Sequence, residues 1–133
     1  TIPRDLADQL IAGDPEGLER TSSGLLSDMY REMTCGLLRP VVIVDYVREA
    51  YQHPAENVRI TFDMNISASY EFDKFTSGKY LKIPLQEKHL HVLEVKFDDI
   101  MPGHVHNIIS SYGQQQSSFS KYYMGRKKLE ELL

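Results

Sequence analysis

The sequence predicts a mixed α+β domain built on a largely antiparallel sheet, with helices before and after it. Three observations carry this. Apolar residues recur at helical spacing in 1–36 and again in 103–133. Between them, residues 38–98 read as four strands, the first, over 41–51, rich in β-branched and aromatic residues. One of these, 58–66, alternates apolar and polar at every step, and the turn-forming residues His53, Pro54, Ala55, Glu56 and Asn57 join it to the stretch before. Helices and strands segregated along a chain favour an antiparallel α+β arrangement over a parallel α/β one.

The elements follow in order. Thr1 can cap a first helix with Pro3 in its opening turn and Asp5 near its positive end, running to about Ala12, where Gly13 stops it. Asp14, Pro15 and Glu16 start a short second helix. Ser22 or Ser23 caps a third, which runs to about Cys35 with Leu25, Leu26, Met29 and Met33 on one stripe, and Gly36 ends it. Pro40 then opens a strand over 41–51, and the hairpin returns over 58–66. Residues 67–80 mix polar and aromatic types, with Gly78 as a breaker. A short strand over 80–85 and a longer one over 89–98 complete the sheet. Met101, Pro102 and Gly103 lead into a helix over about 104–112, a polar loop covers 113–117, and Ser118 opens a final helix through Lys121, Met124 and Lys128 to the end.

With 133 residues the chain supports one domain, 1–133, helical over 1–36, sheet over 38–98 and helical over 103–133. The longest apolar runs, such as 41–44, are far too short to cross a bilayer, and no segment has the layout of a signal peptide. Cys35 is the sole cysteine, so no internal disulfide forms, and a reducing, cytoplasmic setting is the default. In a helical segment it reads as a small buried apolar residue. The net charge of -4 argues against broad nucleic-acid binding while leaving room for a local basic pocket.

Side chains alternate across a strand, so parity shows which groups converge. In 58–66, Val58, Ile60, Phe62, Met64 and Ile66 share one face, and Arg59, Thr61, Asp63 and Asn65 the other. In the last strand Leu93, Val95 and Phe97 oppose Glu94, Lys96 and Asp98. Arg48 falls on the side of Tyr46 and Val44. An open sheet with its charged face in water and helices on its apolar face has this pattern, and so does a closed barrel with a charged lumen. Periodicity is compatible with both.

Three segments narrow the choice. The run from Leu38 through Arg48 to Tyr51, followed by Asn57-Val58-Arg59-Ile60-Thr61-Phe62-Asp63, resembles the paired strands of the VTC (vacuolar transporter chaperone) domain family. Val92-Leu93-Glu94-Val95-Lys96-Phe97-Asp98 is similar to that family's LEVK strand, and Phe119-Ser120-Lys121-Tyr122 to its closing FSKY helix. The resemblance implies a polyphosphate polymerase domain with a triphosphate-tunnel fold, the antiparallel sheet forming half of the tunnel barrel. Its partners would be polyphosphate and ATP, whose terminal phosphate is transferred to the chain with Mn2+ or Mg2+ as cofactor. By the same resemblance Arg48, Arg59, Lys96 and Lys121 are the catalytic and phosphate-binding cations, and Glu94 is the metal ligand. Arginine forks match phosphate oxygens, lysine adds a point charge and a hard carboxylate suits a hard cation.

Domains of this family begin with further strands that carry additional cations, and none precedes Thr1 here. The chain is therefore expected to be the C-terminal half of such a domain, with strand edges that pair it into a homodimer and little activity of its own. A membrane-protein partner is implied by the resemblance alone. Two other classes share these residues: a non-catalytic module binding polyphosphate or inositol phosphates, and a tunnel phosphohydrolase acting on triphosphates. His89 and His91 share a strand face, whereas His104 and His106 lie two apart on a helix, and neither pair has zinc-like company. Tyr112, Tyr122 and Tyr123 read as packing residues, and Arg126, Lys127 and Lys128 as a solvated helix end.

Overall fold

The structure is a computed structural model that describes residues 1–19, 23–54, 57–113 and 116–132. Helix α1 spans Arg4–Ile11 and begins at Pro3, whose fixed φ of -58° suits a helix entry, so Thr1 lies ahead of it and does not cap it. Gly13, at φ 82°, takes the left-handed turn that ends it. The second helix is a single 3-10 turn, Glu16–Leu18, opened by the Asp14 carboxylate accepting from the Glu16 N–H at 3.0 Å. Helix α2, Gly24–Thr34, follows from Ser23; Ser22 lies outside the described residues. Leu10, Leu18 and Met33 form a small core, with Leu6, Leu26, Met29 and Tyr30 packed around it. Leu25 departs from the expected stripe and is exposed, as is Cys35, which reads from the sequence as a small buried apolar residue. The turn after α2 is left-handed at Leu37 (φ 55°) rather than at Gly36. Arg39 then folds back and donates to the carbonyls of Met33 at 2.6 Å and Leu38 at 2.7 Å, placing a cation at the negative end of α2.

The sheet has four antiparallel strands: β1 Ile43–Gln52, β2 Arg59–Ser69, β3 Ile83–Pro84 and β4 Val92–Lys96. β2 is central. One of its edges pairs with β1 from Gln52↔Arg59 to Ile43↔Ser69; the other pairs with β4 over Arg59–Asp63 and with β3 at Ser67 and Ala68. The sheet is open, and the last two strands are shorter than their expected spans of 80–85 and 89–98. The stretch 67–80 divides into the end of β2 and a 3-10 helix, Phe72–Ser77, which Gly78 closes at φ 68°. The hairpin turn includes Ala55 and Glu56, and the polar loop includes Gln114 and Gln115, all outside the described residues. Asp45 holds the chain after the 3-10 helix, accepting from the Tyr80 hydroxyl at 2.7 Å and pairing with Lys82 at 2.9 Å. That carboxylate pushes the Tyr80 hydroxyl up to about 12.

A bulge interrupts the pairing of β1 and β2. Asn65 has φ 53°, and the register passes from Val47↔Met64 to Asp45↔Ser67. One extra residue on β2 inverts every later position, so Ile66 and Ala68 leave the face of Met64 and join that of Arg48 and Asp63. This corrects the assignment of Ile66 to the Val58 face. It also supplies an apolar seat at the end of the charged face, and helix α4, Lys121–Glu130, uses it. There Ser120, rather than Ser118, caps α4 by accepting from the Tyr123 N–H at 3.3 Å. Helix α3, Gly103–Ser111, precedes α4.

Gly125 is the point of closest approach: a Cβ there would meet Val42 Cγ2 at 3.0 Å and the Ala68 Cβ at 3.3 Å. Mid-helix glycine costs about 1 kcal/mol of helix propensity, and here that cost is offset by packing against the sheet. Gly125→Leu regains the propensity but overpacks the contact, where about 1–3 kcal/mol is typical. A net loss of about 1 kcal/mol is expected in chemical denaturation, together with faster amide exchange in α4 as it lifts from the sheet.

Burial is mixed on both faces of the sheet. On the charged face Asp63 is 0% and Thr61 3% exposed while Arg48, Arg59 and Lys96 reach solvent; on the apolar face Val58 is buried while Val47 and Leu93 are 52% and 40% exposed. No described helix is long and apolar enough to cross a membrane.

Candidate functional site

The charged face gathers residues from all three long strands and from α4. In the pairing register Arg48 of β1 lies opposite Asp63 of β2. On the other side of β2, Thr61 lies opposite Glu94 and Arg59 opposite Lys96. Opposed residues project to the same side of a sheet, so local alternation alone brings these six side chains together.

Asp63 is the hub. Arg48 donates to it as a two-pronged fork, Nε to Oδ1 at 2.6 Å and Nη2 to Oδ2 at 2.8 Å. Lys121, the first residue of α4, places its Nζ 2.6 Å from Oδ2. Hydrogen bonds from the Arg48 guanidinium, reinforced by Lys121, outweigh burial and hold the Asp63 carboxyl at about 2, while Asp63 in turn raises the Arg48 guanidinium above its usual range. Tyr46 lies under both cations, with its ring centroid 5.1 Å from Arg48 Cζ and 5.2 Å from Lys121 Nζ.

Beside this hub Glu94 pairs with Lys96 at 3.2 Å and approaches Arg48 at 3.8 Å. Arg59 makes no ion pair among the described residues. Arg48, Arg59, Thr61, Glu94 and Lys96 line a narrow cleft of about 20 Å³, room for roughly one water molecule. Four cations, Arg48, Arg59, Lys96 and Lys121, face two carboxylates, Asp63 and Glu94, which leaves two net positive charges on a chain of net charge -4. A surface so arranged attracts small anions through fixed, forked donors. The larger depression on the protein, about 570 Å³ beside Glu16, Gly17, Glu19 and Tyr30, is shallow, lined by two acids and remote from these residues.

All five residues singled out from the sequence thus stand on one face, with Lys121 joined to the others through Asp63. Sequence reasoning did not single out Asp63, Thr61 or Tyr46. The alternation that put Thr61 and Asp63 beside Arg59, and Tyr46 beside Arg48, was the available signal; what it lacked was any sign that Thr61 and Asp63 are buried. His89 and His91 precede β4 and share no strand face. The rings of His53 and His104 meet at 5.3 Å. Among the described residues no three His, Cys, Asp or Glu side chains gather as a metal site.

A family model described as VTC domain matches residues 1–130. No curated protein and no solved structure matches the chain.

Proposed function

The chain belongs to the VTC domain family, a membership consistent with the polyphosphate polymerases, and from that premise we propose that its charged sheet face is part of a tunnel wall binding linear polyphosphate and the phosphates of ATP. In the complete tunnel the terminal oxygen of the polyphosphate chain attacks the γ-phosphorus of ATP; the bond to ADP breaks and the chain grows by one phosphate. Such a transfer depends on positioning and charge neutralisation more than on a protein nucleophile.

One observation carries the reading: cations from β1, β2, β4 and α4 stand together on one sheet face, two of them held in place by the fully buried Asp63. Arg59, without an ion pair among the described residues, is the cation most available to a phosphate. Arg48 and Lys121 are held by Asp63 beside it, and Lys96 adds an exposed charge at the β4 end. Magnesium and manganese keep several waters and are bound by one or two carboxylates together with substrate phosphates, so the single carboxylate of Glu94 fits as the protein's share of such a site. The ion would supply charge neutralisation at phosphate oxygens.

Calorimetric titration with tripolyphosphate and long-chain polyphosphate, with and without Mn2+, tests this. Saturable binding that weakens with added salt is expected. Arg59→Ala should weaken it at least tenfold, the scale of a charge-assisted hydrogen bond, while leaving stability within about 0.5 kcal/mol because no ion-pair partner among the described residues is orphaned. Folded protein that binds neither ligand, or binds equally well without Arg59, would refute the proposal. Light scattering on the same samples reads whether the outer edge of β1 pairs with a second copy.

A further inference from the structure

We propose that the Thr61 hydroxyl is a direct ligand contact, donating a hydrogen bond to a phosphoryl oxygen of the anion held in the cleft. The inference rests on the polyanion reading above and adds a recognition element that neither charge nor family resemblance assigned. Thr61 is 3% exposed, and its Oγ1 has no hydrogen-bond partner among the described residues. Leaving a buried hydroxyl unpaired carries its full desolvation penalty, so folded proteins retain such groups rarely, and characteristically where something outside the chain completes them.

The register shows why the protein itself leaves it open. Across β1 the neighbour of Thr61 is Ala50, whose side chain has no polar atom. Across β4 it is Glu94, but Oε1 of Glu94 is directed to Lys96 at 3.2 Å and Oε2 to Arg48 at 3.8 Å. Asp63, two residues along β2, already accepts from Arg48 and Lys121. Each carboxylate near Thr61 is therefore engaged by cations, and Thr61, its hydroxyl buried, stands in the wall of the cleft with Arg48, Arg59, Glu94 and Lys96. A group that completes it must accept a hydrogen bond and carry the negative charge that the surrounding guanidinium and ammonium groups demand. A phosphoryl oxygen does both. The cleft has space for about one water, and a phosphoryl oxygen would fit that space.

Two variants separate a ligand contact from a structural one: Thr61→Val keeps the shape and removes the hydroxyl, and Thr61→Ser keeps the hydroxyl. Each is titrated with tripolyphosphate beside the wild type and Arg59→Ala, and each is melted without ligand. Thr61→Val is expected to bind about tenfold more weakly, the effect of a lost hydrogen bond to a charged group, and Thr61→Ser within about threefold of wild type. Without ligand, Thr61→Val should melt at or above the wild-type temperature, since a methyl replaces a buried unpaired hydroxyl. A lower melting temperature would mean that the hydroxyl has a partner inside the protein, and would overturn the proposal. Unchanged affinity in Thr61→Val, with binding lost in Arg59→Ala, would overturn the Thr61 contact and leave the polyanion site standing. Absence of tripolyphosphate binding by the wild type would remove both.

Discussion

Asp63→Ala is expected to destabilise the protein by about 2–3 kcal/mol, the largest effect of any single substitution on the charged face. Removing one partner of a buried ion pair commonly costs about 3–5 kcal/mol, because the charge left behind is neither solvated nor paired. Here one substitution strips the partner from two cations at once, Arg48 on β1 and Lys121 on α4. Their side chains are 29% and 19% exposed, so water reaches both and the cost falls below the fully buried range. Chemical denaturation measures the loss. Hydrogen exchange locates it: the first turn of α4 should open more often, since Lys121 is the polar tie between that helix and β2. A change under about 0.5 kcal/mol would show that the cluster behaves as an ordinary surface network.

Lowering the pH should reproduce part of this loss in the wild-type protein. The Asp63 carboxyl is held at about 2, against an unperturbed value of 3.8. A carboxylate depressed on folding stabilises the native state above the unfolded-state value, and that contribution disappears as the pH falls through the folded value. The window is therefore from about pH 4 down to about pH 2. The shift corresponds to about 1–2 kcal/mol once solvent access to its partners is allowed for. Asp45, held down chiefly by the Tyr80 hydroxyl, acts in the same direction. Comparison with Asp63→Asn isolates the Asp63 part. The variant should be less stable than wild type at pH 7, and the gap should close as the pH approaches 2. A gap that stays constant with pH would show that the Asp63 charge is not what stabilises the cluster.

Much of the site was legible because strand geometry is local. Alternation in 58–66 put Arg59, Thr61 and Asp63 on one side, parity in β1 added Tyr46 and Arg48, and the LEVK stretch added Glu94 and Lys96. Helix ends were less legible, since the first turn is decided by where the chain arrives: α1 starts from Pro3 and not Thr1, and α4 from Ser120 and not Ser118. The helical stripe that included Leu25 failed because the N-terminal core is small and has room only for Leu26, Met29 and Met33.

By itself, then, the sequence determined the order of helices and strands, the antiparallel hairpin and the membership of the charged face, all of which follow from nearest-neighbour periodicity. Three things were decided only in the tertiary structure. The bulge at Asn65 turned Ile66 and Ala68 onto the charged face, and Gly125 let α4 settle on the seat they form with Val42 and Val44. Docking of α4 brought Lys121 to Asp63, from a point 58 residues away in the chain. Burial of Asp63 followed from that packing, and the Thr61 hydroxyl, unpaired among the described residues, from the neighbours that β1 and β4 set beside it. The physical reason is common to all three: alternation specifies the side of a strand on which a residue lies, whereas burial, charge pairing and an unsatisfied hydrogen bond depend on what the rest of the chain brings to that side.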